Sequence, residues 1–123
     1  MNFTHEEIIN ILTNLLKEKK AENILYFDVK EKSDLTDSVI ICHGSGTLHT
    51  KAIAENIIQK SKELKIHIFA TEGLENGTWI LIDFIDIIVH IFNEDTRDYY
   101  KLEELWNVNH HNKKDVEVDY VKS

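Results

Sequence analysis

The sequence predicts one α/β (α+β) domain in the order α-β-β-α-β-β-β-α, and three observations carry that expectation. Apolar residues recur at helical spacing in two long stretches, five shorter stretches are β-branched or aromatic, and glycine-bearing turns separate them. The chain has 123 residues, 42% of them hydrophobic and 29% charged. That length suits one domain, and that balance suits a packed core rather than a disordered chain.

The first helix opens at Thr4, with Glu7 three residues on as a capping box and Phe3 and Ile8 placed as a hydrophobic staple. Ile8, Leu12, Leu15 and Leu16 then form its apolar stripe. Residues 24–29 and 39–42 read as two strands joined by the polar loop 30–38. Gly44-Ser45-Gly46-Thr47 ends the second strand, with Thr47 expected as the N-cap of a helix over residues 48–65. Ile66, Ile68 and Ala70 alternate with His67 and Phe69 in a third strand that the turn-rich residues 72–77 close.

Two further strands are expected at residues 78–83 and 86–92. A hairpin turning at Phe84-Ile85 would set Asp83 opposite Asp86, Leu81 opposite Ile88 and Trp79 opposite His90. Thr78, Ile80, Ile82, Ile87, Val89 and Ile91 then share an aliphatic core face. The other face mixes Trp79, Asp83, Asp86, His90 and Phe92 and is a candidate binding surface. One or two short helices follow over residues 93–106, and residues 107–123 are expected to be a polar, disordered tail.

Composition excludes several function classes. Asp plus Glu number 22 against 14 Lys plus Arg, a formal charge of −8, whereas grip on nucleic acid comes from clustered cations. The lysines of Lys17-Glu18-Lys19-Lys20 sit where cations complement a helix C-terminus. No apolar stretch approaches the roughly 18 residues that a membrane helix needs. Nothing at the start of the chain marks export or organelle import, so a cytoplasmic location is expected. Cys42, the one cysteine, lies in an apolar run and reads as a buried small hydrophobe.

Chemistry-bearing patterns are sparse. The Gly44-Ser45 turn could offer amides to a phosphate, but it lacks the spacing of a P-loop or a dinucleotide site. A Gly-Ser turn before a helix also resembles the nucleotidyltransferase-type fold, yet Ala54-Glu55-Asn56 stands where that fold carries its metal-binding carboxylates. Asp83, Asp86 and His90 would assemble a metal or acid-base site only if the proposed register held. An enzyme using a metal or nucleotide through Ser45, Asp83, Asp86 and His90 is thus the alternative reading, and no cofactor is otherwise indicated. Trp79, Phe92, Tyr99, Tyr100, Leu102 and Trp106 with Arg97 have the composition of a protein-interface hot spot. Each aromatic could equally serve its own core, and Arg97 could order its loop by pairing with Asp95 or Asp98.

The string from Glu72 to Phe92, with Trp79, Asp83, Asp86, His90 and Phe92 at fixed spacing, is followed by Arg97, Tyr99, Tyr100, Leu102 and Trp106. Together they closely resemble the ribosomal silencing factor family (RsfS, Iojap-related), over about residues 6–106. Asp28-Val29, residues 33–37, Gly44-Ser45 and Lys51-Ala52-Ile53-Ala54 match as well. The resemblance implies a mixed five-stranded sheet packed by helices, a nucleotidyltransferase-like fold without catalytic carboxylates, and no catalysis. It also implies a homodimer when free, which binds the large ribosomal subunit through ribosomal protein L fourteen. Docking there would block joining of the small subunit and repress translation under nutrient limitation. With the aromatic patch and acidic charge suiting such a basic partner, the residues expected at or under the docking face are Trp79, Asp83, His90, Phe92, Arg97, Tyr99, Tyr100 and Leu102. The chain departs from the family pattern at Ser38, where an aromatic is common, at Leu48, where Arg is common, and at Ile85, where Gly is usual in the hairpin.

Overall fold

The structure is a computed structural model that describes residues 2–107. Helix α1 (His5–Glu18) starts with the expected capping box: the Glu7 amide donates to Thr4 Oγ1 at 3.1 Å and the Thr4 amide to Glu7 Oε1 at 2.8 Å. Its buried stripe is Ile9, Leu12, Thr13, Leu15 and Leu16, with Ile8 at the margin. Thr13 satisfies its buried hydroxyl on the Ile9 carbonyl at 2.8 Å.

Strands β1 (Glu22–Asp28), β2 (Ser38–Gly44), β3 (Ala70–Glu72), β4 (Trp79–Asp83) and β5 (Ile87–Asn93) form one sheet in the order β1-β2-β5-β4-β3. The β2–β5 pair is parallel and the other three pairs are antiparallel, so the sheet is mixed, as expected. Helix α2 (Thr47–Leu64) packs against β2, β4 and β5, and α1 packs against α2 and β1. Between the helices and the sheet lies the larger core, in which Leu12, Leu16, Ile40, Ile53, Ile57, Ile80, Ile82, Val89 and Ile91 are fully buried. Each such side chain contributes about 1.5–3 kcal/mol of transfer free energy.

The short helices α3 (Glu94–Tyr100) and α4 (Glu103–Asn107) lie on the opposite face, α3 against β5 and β2. Leu102 and Trp106 pack there on a second cluster of Leu25, Phe27, Val29, Val39, Ile41 and Phe92. A left-handed Lys101 (φ 48°) makes the corner between the two helices.

Several expectations need correction. The hairpin turns at Ile85-Asp86 rather than Phe84-Ile85, so Trp79 faces Phe92, Leu81 faces His90 and Asp83 faces Ile88. Phe84 donates its amide to the Ile87 carbonyl at 2.8 Å across the turn, and the Ile85 amide is taken by Asp83 Oδ1 at 2.7 Å. A shift of two positions leaves the side chains of the paired strands on the faces they were assigned, whereas Asp86, expected on the mixed face, lies exposed in the turn. Thr78 is exposed and is not part of the core.

Gly46, not Thr47, is the N-cap of α2. The third strand starts at Ala70 rather than at residue 66, which still belongs to the helix end. Lys65 is left-handed (φ 61°) and the Ile66 amide donates to the Ser61 carbonyl at 2.8 Å, a helix C-cap. Two helices close the domain where one was written in the element order. The expected polar tail, apart from the backbone of residue 107, lies outside the described residues.

Candidate functional site

Helices α1 and α2 seal one face of the sheet, whereas α3 and α4 cover the other only in part. Trp79, at the start of β4, stands on this second face. Its ring centroid lies 4.8 Å from Phe92 and 4.9 Å from Tyr100, and Tyr99 meets Tyr100 edge-on at 4.9 Å. Such tilted and edge-on pairs are favoured by the ring quadrupoles. The Trp79 indole N–H donates to His90 Nδ1 at 3.0 Å, which assigns the proton of the neutral imidazole to Nε2. Burial pushes the His90 pKa down from 6.5 to about 4, so the ring stays neutral and keeps its acceptor for Trp79.

Backbone geometry before Trp79 depends on glycine. Gly73 is left-handed (φ 83°), and a Cβ there would stand 2.0 Å from the Trp79 carbonyl oxygen. Gly77 (φ 78°) presents its carbonyl to the Thr50 hydroxyl at 2.6 Å, which ties the turn to α2. Thr78, Trp79, Asp95, Thr96, Tyr99 and Tyr100 then line an open groove of about 490 Å³. Tyr99 is 80% exposed and Tyr100 52%, so both rings stand at its rim.

The other candidates fall into two groups. Phe92 is fully buried beneath Trp79, and Leu102 is partly buried on the second core cluster. Asp83 lies at the far end of β4, where its carboxylate holds the hairpin turn. Arg97 is no surface cation, being 3% exposed. Its Nη1 donates to the Asn23 carbonyl at 2.8 Å and to His43 Nδ1 at 2.9 Å, and its Nε faces Glu103 Oε2 at 3.3 Å. Its ion-pair partner is thus Glu103 on α4 rather than Asp95 or Asp98. His43 in turn faces Glu22 Oε1 through Nε2 at 3.3 Å.

Sequence reasoning missed this chain of Glu22, His43, Arg97 and Glu103. The available signal was parity: continuing the alternation of Val39 and Ile41 by one more residue puts His43 on the same face. Cys42, on the opposite side of β2, is fully buried, and burial pushes its thiol up to about 12 against a smaller opposing pull from Arg97. It is the inert hydrophobe the sequence suggested.

The alternative constellation is not assembled. His90 is committed to Trp79, Asp86 is exposed in the turn, and among the described residues no three His, Cys, Asp or Glu side chains come together to hold a metal ion. The Gly-Ser turn is filled from within: the Ser45 amide donates to His49 Nδ1 at 2.9 Å, and His49 Nε2 donates to the Lys19 carbonyl at 2.6 Å. Gly44 packs so closely on that ring that a Cβ would meet His49 Nδ1 at 3.0 Å. Among the described residues no helix is long and apolar enough to cross a membrane.

Comparison with known proteins gives these features a family. The family described as ribosomal silencing factor during starvation, RsfS, matches residues 2–123. The ribosomal silencing factor RsfS of Halalkalibacterium halodurans is 37% identical over 103 residues, covering 84% of this chain and 88% of that protein. Its counterpart in Haemophilus influenzae is 37% identical over 99 residues, covering 80% and 97%. A mouse protein named mitochondrial assembly of ribosomal large subunit protein 1 is 29% identical over 103 residues, covering 81% of this chain and 45% of the mouse protein. A crystal structure from Bacillus halodurans superposes with a TM-score of 0.76 at 37% identity, covering 83% of this chain and 95% of the other. One from Chromobacterium violaceum gives 0.83 at 30% identity, covering 89% and 92%. With the family matched along nearly the whole chain and the fold shared with these structures, the chain belongs to the ribosomal silencing factor family.

Proposed function

We propose that this chain docks on the large ribosomal subunit through ribosomal protein L fourteen, and that the docked protein keeps the small subunit from joining and so lowers translation when nutrients are scarce. The observation that carries this reading is the Trp79, Tyr99 and Tyr100 cluster, held on the part of the sheet that the chain's own helices leave open. Rigid aromatics around a shallow groove are what a protein interface uses as anchors. A formal charge of −8 suits a basic ribosomal protein better than bare RNA. Steric exclusion needs no chemistry, so the reading includes no catalytic step, no cofactor and no metal. The silencing domain is taken as residues 1–106, homodimeric when free and cytoplasmic, where its partner resides.

Co-sedimentation with isolated large subunits tests the proposal. Wild-type protein at micromolar concentration is expected in the ribosomal pellet. Trp79→Ala, shown to be folded by circular dichroism, should bind about 30-fold more weakly, the loss of one anchor worth about 2 kcal/mol. Wild-type protein that stays in the supernatant overturns the proposal. Thermal stabilisation by magnesium, manganese or a nucleoside triphosphate would favour a ligand-using enzyme instead.

A further inference from the structure

We infer that Arg97 is a positioning residue for the docking face: anchored on Asn23, His43 and Glu103, it sets where Tyr99 and Tyr100 stand against Trp79. The inference rests on the proposed use of that face. Helix α3 has seven residues and Arg97 alone among them is buried, so beyond the half-exposed Tyr100 ring on Trp79 no apolar side chain of the helix holds it to the sheet. A helix this short does not hold itself together. Its attachment is the guanidinium, which reaches down to β1 through the Asn23 carbonyl and to β2 through His43.

The same group reaches sideways to α4 through Glu103, across the left-handed corner at Lys101. Burying an arginine is costly unless its charge is paired, and a buried ion pair is in general no more stabilising than well-packed apolar side chains in place of both partners. What the guanidinium adds is direction: three fixed acceptors on three elements leave α3 one orientation. At 3% exposure Arg97 does not offer its charge to a partner.

The contact with Glu103 has one arm. Arg97 Nη2 and Glu103 Oε1 are both buried without a hydrogen-bond partner, and these are the atoms that the second arm of a side-on guanidinium–carboxylate pair would join. Glu103→Gln keeps an oxygen acceptor for the Nε–H, whereas Glu103→Leu removes it and leaves the bonds to Asn23 and His43 in place.

The test uses the full chain and two readouts: large-subunit co-sedimentation, and the ring-current shift that Trp79 imposes on the Tyr100 ring protons in NMR spectra. Arg97→Met is expected to unfold cooperatively, to lose most of the Tyr100 shift and to bind about tenfold more weakly. Glu103→Gln should keep both the shift and the binding, and Glu103→Leu should lose both. If Arg97→Met does not fold, Glu103→Leu decides by itself. Weakened binding with an unchanged Tyr100 shift overturns the inference, because Arg97 would then act on the partner directly. Unchanged binding with a lost shift overturns it too. Failure of the wild type to bind counts against the proposed function, and the Tyr100 shift in Arg97→Met still decides whether Arg97 orders the corner.

Discussion

The two faces of the sheet are made by alternate residues of the same strands, and they differ in what covers them. On the α1–α2 face, Ile80, Ile82, Val89 and Ile91 are fully buried among aliphatic side chains. On the other, Trp79, Leu81, His90 and Tyr100 are only partly covered, and the Trp79 indole N–H is tied to His90. A close-packed aliphatic layer gains stability from volume filled, whereas a half-covered aromatic layer holds area in reserve for a partner. Stability and the proposed recognition are separated here by residue parity, one position along the strand.

That separation can be broken most directly at neighbouring residues. Ile80→Ala should cost about 3–4 kcal/mol in urea-induced unfolding, as cavity-forming changes in a sealed core do. Leu81→Ala, next in sequence but on the open face, should cost about 1 kcal/mol. Equal losses at the two sites would show that the aromatic face carries as much of the stability as the aliphatic one.

Acid should weaken the open face through His90. His90 titrates near 4 in the folded protein and near 6.5 when unfolded, so the unfolded chain takes up the proton first as the pH falls. Its contribution is complete above about pH 6.5 and is lost on the way down to about pH 4, amounting to at most about 3 kcal/mol. His90→Gln keeps an acceptor for the Trp79 indole and does not titrate. Its unfolding free energy should therefore fall less than that of the wild type between pH 7 and 4.5, and identical pH profiles would sink the assignment.

The smallest effect is expected at the hairpin that joins β4 and β5. Ile85 is left-handed (φ 77°), a conformation that a β-branched residue strongly resists. Ile85→Gly should raise the midpoint of thermal unfolding, by about 1 kcal/mol of stability, without altering the Tyr100 environment. A loss of stability would mean that Ile85 packs better than its 51% exposure indicates.

Elements with a strong local signal were legible in the sequence. Thr4 and Glu7 marked the start of α1, and alternation assigned both faces of β4 and β5 even with the turn misplaced by one residue, because the resulting register error was a whole pleat. Readings that depended on a partner elsewhere in the chain failed. Ile66 and Ile68 alternate as a strand would, but the first amide belongs to the helix cap at Ser61. Arg97 has aspartates on either side of it in sequence, but its anchors are Asn23 and His43, remote in the chain. Composition put Trp79 and Tyr100 in one interface-like aromatic set, since residue type narrows what a side chain does, and the structure brings their rings together. It could not show that Phe92 lies beneath Trp79 rather than beside it.

The parallel seam between β2 and β5 has a kinetic consequence. The β1–β2, β3–β4 and β4–β5 pairs join strands adjacent in the chain, whereas pairing Ser38 with Ile87 and Gly44 with Asn93 closes a loop that contains α2, β3 and β4. Loop-closure entropy makes such a pairing a late and slow event. Trp79 and Phe92 belong to one hairpin, while the His43 that receives Arg97 belongs to the other. A nascent or half-folded chain therefore lacks the assembled Trp79–Tyr100 surface, which is completed only when the two hairpins come together in the last step of folding.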